Sequence, residues 1–255
     1  MQDDSPLGRA MALVRDLRVR CPWDAKQTPE SLRPYLVEET HELDAAIASG
    51  DVTAKRDELG DVLLNVAYQM VLAEERAEFS AHDVADVLIR KMERRHPHLF
   101  DLGPAEPWET IKRRERGDDG SMLGGIPPSL PGLLKAHRMQ ARAATVGFDW
   151  PDTQGPAAKV REELAEVEAA LRDSEPAEAL ASEVGDLLFA VVNLARKAGV
   201  DASAALDTAN AKFERRFRAV EQIAGERGLV MTDTPLDTLD GIWDDVKREE
   251  TRAQG

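Results

Sequence analysis

The sequence predicts an all-α protein built from two copies of one helical unit, and three observations predict it. The first is composition. Aromatic residues are 5% and hydrophobic residues 42% of the 255-residue chain, with Ala, Leu, Glu and Arg abundant, which favours helices and leaves little material for sheets. The second is periodicity: apolar positions recur with the spacing of one helical face. The third is repetition, because five short features occur twice in the same order.

The elements follow in turn. Residues 7–19 read as a short amphipathic helix, broken by Cys21-Pro22-Trp23-Asp24. A second helix covers 29–49, with Pro34 tolerable only near its first turn. Gly50 stops it and Asp51 caps the next, over 52–76, whose apolar stripe is Val62, Leu63, Val66, Met70 and Val71. Ser80 caps a helix ending near His96-Pro97, and a shorter one spans 108–116. The Gly- and Pro-dense stretch 117–128 reads as a linker between domains at 7–116 and 129–251. Helices then recur at 129–144, 156–172, 177–198, 202–227 and 235–251, the first two separated by Gly147-Phe148-Asp149-Trp150-Pro151.

The restart is a repeat. Pro22-Trp23-Asp24 corresponds to Phe148-Asp149-Trp150, Glu38-Glu39-x-x-Glu42 to Glu162-Glu163-x-x-Glu166, and Glu58-x-x-Asp61 to Glu183-x-x-Asp186. Lys91-Met92-Glu93-Arg94-Arg95 corresponds to Lys212-Phe213-Glu214-Arg215-Arg216, and Trp108-x-x-x-Lys112 to Trp243-x-x-x-Lys247. Five matches in register argue for an internal duplication.

Charge narrows the function classes. The formal net charge of −15 makes the chain a poor candidate for gripping a nucleic acid polymer through its phosphates. A small phosphorylated ligand stays open, because a bound divalent cation reverses the local sign. The single cysteine, Cys21, allows neither an internal disulfide nor a thiolate metal site and reads as a small, partly buried residue. The N-terminus has no apolar signal-peptide core, and no apolar run reaches membrane-spanning length, so a cytoplasmic protein off the membrane is expected.

The carboxylates are the centre of the chemistry. Spacing of three residues puts Glu163 and Glu166 on one helical face, and likewise Glu183 and Asp186. Glu39, Glu42, Glu58 and Asp61 repeat the arrangement. Such faces are either solvated acidic surfaces or ligand sets. Apolar neighbours (Leu59, Val62 and Leu63; Val184, Leu187, Leu188 and Phe189) place them beside a helix interface. A glycine sits inside each second pair, Gly60 and Gly185. A mid-helix glycine costs about 1 kcal/mol against alanine, so its recurrence predicts close approach of another helix. Two like charges about 5 Å apart repel by roughly 3 kcal/mol at an effective dielectric of about 20. Protonation or a cation relieves this; oxygen ligands without Cys or paired His suit Mg²⁺ or Mn²⁺.

Lys212, Arg215 and Arg216 share a helix face and suit a polyphosphate, or else form a salt-bridged surface. Trp243 and Lys247, one turn apart, offer a stacking plane and a charge, or a buried structural Trp. His41-Glu42, His82-Asp83 and His96-Pro97-His98 lack the partners of a histidine metal site.

This ordered set resembles the MazG-type all-α nucleoside triphosphate pyrophosphohydrolases, with Cys-Pro-Trp-Asp, Gly-Phe-Asp-Trp and Lys-Phe-Glu-Arg-Arg-Phe adding to it over residues 7–250. The resemblance implies tandem helix bundles, homodimerisation, and Mg²⁺-dependent cleavage of a (deoxy)nucleoside triphosphate to monophosphate and pyrophosphate. It implies that Glu163, Glu166, Glu183 and Asp186 bind the metal, and Glu39, Glu42, Glu58 and Asp61 in the first copy. Lys212, Arg215, Arg216, Trp243 and Lys247 would hold the nucleotide, with Lys91, Arg94, Arg95, Trp108 and Lys112 their first-copy counterparts. Glu162 or Glu163 would activate water. Asn193, on the face of Asp186, joins the substrate set; Tyr68 stands at the matching first-copy position. That difference, and Pro97 ending the first cationic helix, favour the second copy as the main active site. The rival expectations are a non-catalytic nucleotide-sensing module and a hydrolase of an alarmone-type nucleotide.

Overall fold

The computed structural model describes residues 5–100, 102–106, 111, 114 and 121–253, and every regular element among them is helical. The chain divides into two compact units, Met1–Ile111 and Lys112–Gly255.

The first unit holds α1 (Pro6–Arg20), α2 (Pro29–Ser49), α3 (Val52–Glu75) and α4 (Ala81–Arg95), with one-turn 3₁₀ segments at Asp24–Lys26 and Pro97–Leu99. Caps fix its boundaries. The Thr28 and Ser80 hydroxyls each accept from a backbone N–H three residues on, and the side chains of Ser31 and Asp83 return the bond. Asp51 accepts from the amides of Thr53 and Ala54, while Gly50 closes α2 at φ +74°. α2 and α3 pack against each other, and α1 packs on α3. Met11, Val14, Leu32, Ala67, Tyr68, Val71 and Leu72 form the core.

The second unit repeats the plan with α5 (Gly132–Ala144), α6 (Gln154–Arg172), α7 (Ala177–Lys197) and, at the place of α4, the longer α8 (Ala202–Glu226), which forms a hairpin with α9 (Leu236–Ala253). α6 lies along α7, α5 against α7, and α8 along α9. Its apolar cluster is Val220, Ala224, Ile242 and Val246, between α8 and α9.

Where the residues are described, expected and observed helix limits agree within about three residues; most of the helix expected at 108–116 lies outside them. Trp108 and Lys112 lie outside the described residues. The stripe expected on α3 is only partly covered: Val71 is buried, but Leu63 and Val66 are exposed. Val184, Leu188, Phe189 and Val191 on α7 are exposed in the same way. The close approach expected at Gly60 and Gly185 is not found: both are exposed, and a Cβ at either would meet nothing within 4 Å. Their sides of α3 and α7 turn away from the helices that pack within each unit, so no contact among the described residues offsets their helix cost.

Candidate active site

In each copy the structure clusters three of the four carboxylates that the sequence spacing singles out. In the second unit Glu163 on α6 and Glu183 and Asp186 on α7 each bring a carboxylate oxygen within 4.8 Å of the others. In the first unit Glu39 on α2 meets Glu58 and Asp61 on α3 within the same distance. The fourth member stands at the edge of each cluster. Glu166 is exposed and shares a hydrogen bond with Glu163, and that bond and the Glu163 charge raise its pKa. Glu42 is exposed and hydrogen-bonds Glu58.

The two clusters balance their charge differently. Glu163, only 5% exposed, receives a bond of 2.6 Å from Lys159 Nζ, which also reaches Glu162 at 2.8 Å. Lys159 holds the Glu163 carboxyl below its ordinary range; the bonds it donates to Glu162 and Glu163 push the ammonium above its own. Lys159 lies four residues before Glu163, one turn back on the same face. At that position the first unit has Tyr35, whose ring meets Trp23 edge-on with centroids 6.2 Å apart. Without a cation, burial first and the neighbouring carboxylates second raise Glu39 and Glu58. Glu58 Oε2 is buried with no hydrogen-bond partner. Clustered carboxylates without nitrogen or sulfur ligands suit a hard divalent cation.

A cavity of about 370 Å³ opens beside the second cluster. Glu163, Asp186 and Lys159 stand in its wall together with Phe148, Trp150, Pro156 and Phe189, and with Gln140, Asn193 and Arg196. Asp186, Phe189, Asn193 and Arg196 lie at three- to four-residue intervals along α7, so the lining follows one face for about 15 Å. Trp150 is seated against the start of α6 so closely that a Cβ on Gly155 would come within 2.0 Å of the indole Cδ1. Asp149 ties the preceding loop to α7: Arg196 Nη2 donates to its Oδ1 at 2.5 Å and Lys197 Nζ to its Oδ2 at 2.9 Å. Those bonds, the one from Arg196 first, hold its carboxyl down at about 2.

At the corresponding place in the first unit a large side chain is packed into the core. Tyr68, seven residues after Asp61 as Asn193 is after Asp186, is 5% exposed and packed among Met11, Val14, Leu32, Val71 and Leu72. Its hydroxyl donates to Asp24 Oδ1 at 2.5 Å, and burial, then that bond, raise its pKa. Val71 and Leu72 occupy the positions of Arg196 and Lys197.

The cationic residues of α8 and α9 gather separately. Arg215 and Arg216 pair with Glu250 at 3.1 and 2.7 Å. Arg216 lies 5.9 Å from the centre of the Trp243 ring, which also packs against Phe213. Lys247 pairs with Asp244 at 3.0 Å, and Lys212 is exposed on α8. The contacts of this group are made within α8 and α9; among the described residues no ion pair joins it to the carboxylates.

Sequence reasoning missed Lys159 and the walls of the cavity. The i, i+4 relation of Lys159 to Glu163 was readable. The matched Phe148-Asp149-Trp150 segment located the loop without revealing that it lines a cavity.

Residues 27–100 and 154–220 each match the MazG nucleotide pyrophosphohydrolase domain. The chain is 46% identical over 251 residues to the nucleoside triphosphate pyrophosphohydrolase of Escherichia coli K12, covering 94% of this chain and 95% of that one. It is 44% identical over 231 residues to the nucleoside triphosphate pyrophosphohydrolase/pyrophosphatase MazG of Thermotoga maritima, covering 89% of each. The nucleoside triphosphate pyrophosphohydrolase of Mycobacterium tuberculosis is 36% identical over 148 residues, 54% of this chain and 45% of that one.

Proposed function

Because the chain belongs to the MazG nucleotide pyrophosphohydrolase family and carries its domain twice, we propose that it hydrolyses (deoxy)nucleoside triphosphates to the monophosphate and pyrophosphate. We assign the main active site to the second unit. The observation that carries this is the cavity joining Glu163, Asp186 and Lys159 at one end to the aromatic walls of Phe148 and Trp150. A triphosphate needs cationic and metal-binding groups; a nucleoside needs a flat apolar slot; here they share one cavity.

Glu163, Glu183 and Asp186, with Glu166 beside them, would hold Mg²⁺, or Mn²⁺ in its place. The ion supplies positive charge to the triphosphate oxygens. Lys159 turns from its carboxylates to the phosphates. Lys212, Arg215, Arg216 and Lys247, with Trp243, gather apart from this cavity on α8 and α9 and offer a second surface for the nucleotide. Glu162, exposed and outside the three-carboxylate cluster, accepts the proton of the attacking water as Glu163 keeps to the ligand set. The new bond forms between water oxygen and the α-phosphorus, the bond to the bridging α–β oxygen breaks, and pyrophosphate leaves. No covalent intermediate is needed. The exposed Val184, Leu188 and Val191 of α7 form an apolar face that a homodimer covers.

The test is turnover of a nucleoside triphosphate panel with Mg²⁺ in ¹⁸O-labelled water. Label in the monophosphate, with pyrophosphate unlabelled, is the expected result. Diphosphate and inorganic phosphate as products, or no turnover, would sink the proposal.

A further inference from the structure

One group in the cavity has no role in phosphate chemistry. Asn193 is 8% exposed and its Oδ1 accepts from Arg196 Nε at 3.0 Å and from Nη2 at 2.8 Å. A guanidinium only donates, so the sense of the amide is fixed: the oxygen faces Arg196 and the Nδ2 hydrogens face elsewhere. Among the described residues no hydrogen bond uses Nδ2, and Asn193 lines the cavity. Arg196 is itself held by Asp149, which Lys197 also pairs. Asn193 lies seven residues, about 10.5 Å of helix rise, beyond Asp186. A nucleotide with its α-phosphate at the carboxylates reaches that far only with its nucleoside. In the same wall Gln140 donates from Nε2 to the Phe189 carbonyl at 2.8 Å, so its amide sense is fixed too, and its Oε1 is buried without a partner.

Resting on the triphosphate reading above, we propose that Asn193 is a specificity-determining residue that donates from Nδ2 to an acceptor atom of the nucleobase. Arg196 and Asp149 are the positioning residues that keep the donor, and not the oxygen, turned to the cavity. The ligand class is a nucleotide whose base presents a ring nitrogen or carbonyl acceptor at that depth. Inorganic polyphosphate, which ends at the carboxylates, does not engage the group. Leaving an acceptor opposite an acceptor costs the desolvation of both, so the sign of this contact is worth testing directly.

Asn193→Asp keeps an oxygen for Arg196 and presents an acceptor where the wild type presents a donor. In the full chain with Mg²⁺, kcat/KM for nucleoside triphosphates should fall by about tenfold or more, chiefly through KM. Inhibition by inorganic tripolyphosphate should stay unchanged. Asp149→Asn, which frees Arg196, should raise KM by a smaller factor and likewise leave tripolyphosphate inhibition intact. An unchanged KM in Asn193→Asp, or an equal loss of tripolyphosphate inhibition, would overturn the proposal, the latter marking general damage to the site. If the wild type releases no pyrophosphate, the triphosphate reading falls, and Asn193 is judged by binding. Nucleoside 5′-monophosphates that raise the melting temperature of wild type, but not of Asn193→Asp, support it; equal or absent binding overturns it.

Discussion

The two units place the same i, i+3 carboxylates on corresponding pairs of helices, yet the residues beside them differ. In the first unit Tyr68 packs into the core and donates its hydroxyl to Asp24. In the second, Asn193 stands back, Arg196 and Lys197 replace Val71 and Leu72, and a cavity of about 370 Å³ remains. Charge differs as well: Lys159 holds the Glu163 carboxyl down in the second cluster, whereas its counterpart Glu39 in the first, with Tyr35 in place of the lysine, is raised. Duplication conserved the carboxylate cluster and let its surroundings diverge. One copy spends its helix interface on packing, the other on a slot.

The largest effect that tests this contrast is on catalysis. Glu183→Ala should lower pyrophosphate release by about 100-fold or more, as loss of a metal-supporting carboxylate does, while Glu58→Ala should change it by less than about threefold. Equal losses would remove the distinction between the units. Exchanging the diverged residues comes next. Asn193→Tyr should close the slot, raising KM for nucleotides by about tenfold or more without unfolding the chain. Tyr68→Asn should destabilise the first unit by about 3 to 5 kcal/mol in denaturant, since it leaves a void and deprives Asp24 of its hydroxyl donor. A Tyr68→Asn protein as stable as wild type would mean that Tyr68 is not packing the core.

The smallest effect is a pH dependence. The pKa of Asp149 is held down at about 2 by Arg196 and Lys197, below the ordinary aspartate value. A depressed carboxyl stabilises the fold above its unfolded pKa and loses that contribution as pH falls through the folded value. The stability difference between wild type and Asp149→Asn should therefore be full at pH 5 and shrink between about pH 4 and pH 2. A difference that stays constant through that window would show that the pair does not hold the loop.

Much of this was legible in the sequence because it is local. Asp51 and Ser80 cap helices through bonds to residues two or three positions away, and the Glu183-x-x-Asp186 face follows from the helical repeat alone. The cavity was not legible, since its walls come from the stretch before α5, from the loop carrying Phe148 and Trp150, and from α5, α6 and α7. Only packing brings those segments together. Gly60 and Gly185 mislead for a related reason: a helical glycine predicts a neighbour, but sequence does not say whether the same chain supplies it. Lys159 was overlooked because attention to carboxylates passes over the cation one turn away.

The contact between Trp150 and Gly155 carries a mechanical consequence. The indole rests where any side chain at 155 would have to stand, so the aromatic wall and the first turn of α6 form one piece. Glu163 lies two turns further along that helix. A tilt of α6 that moves Glu163 therefore carries the Trp150 wall with it, and under the proposed function contacts to the phosphates and to the base would be adjusted together.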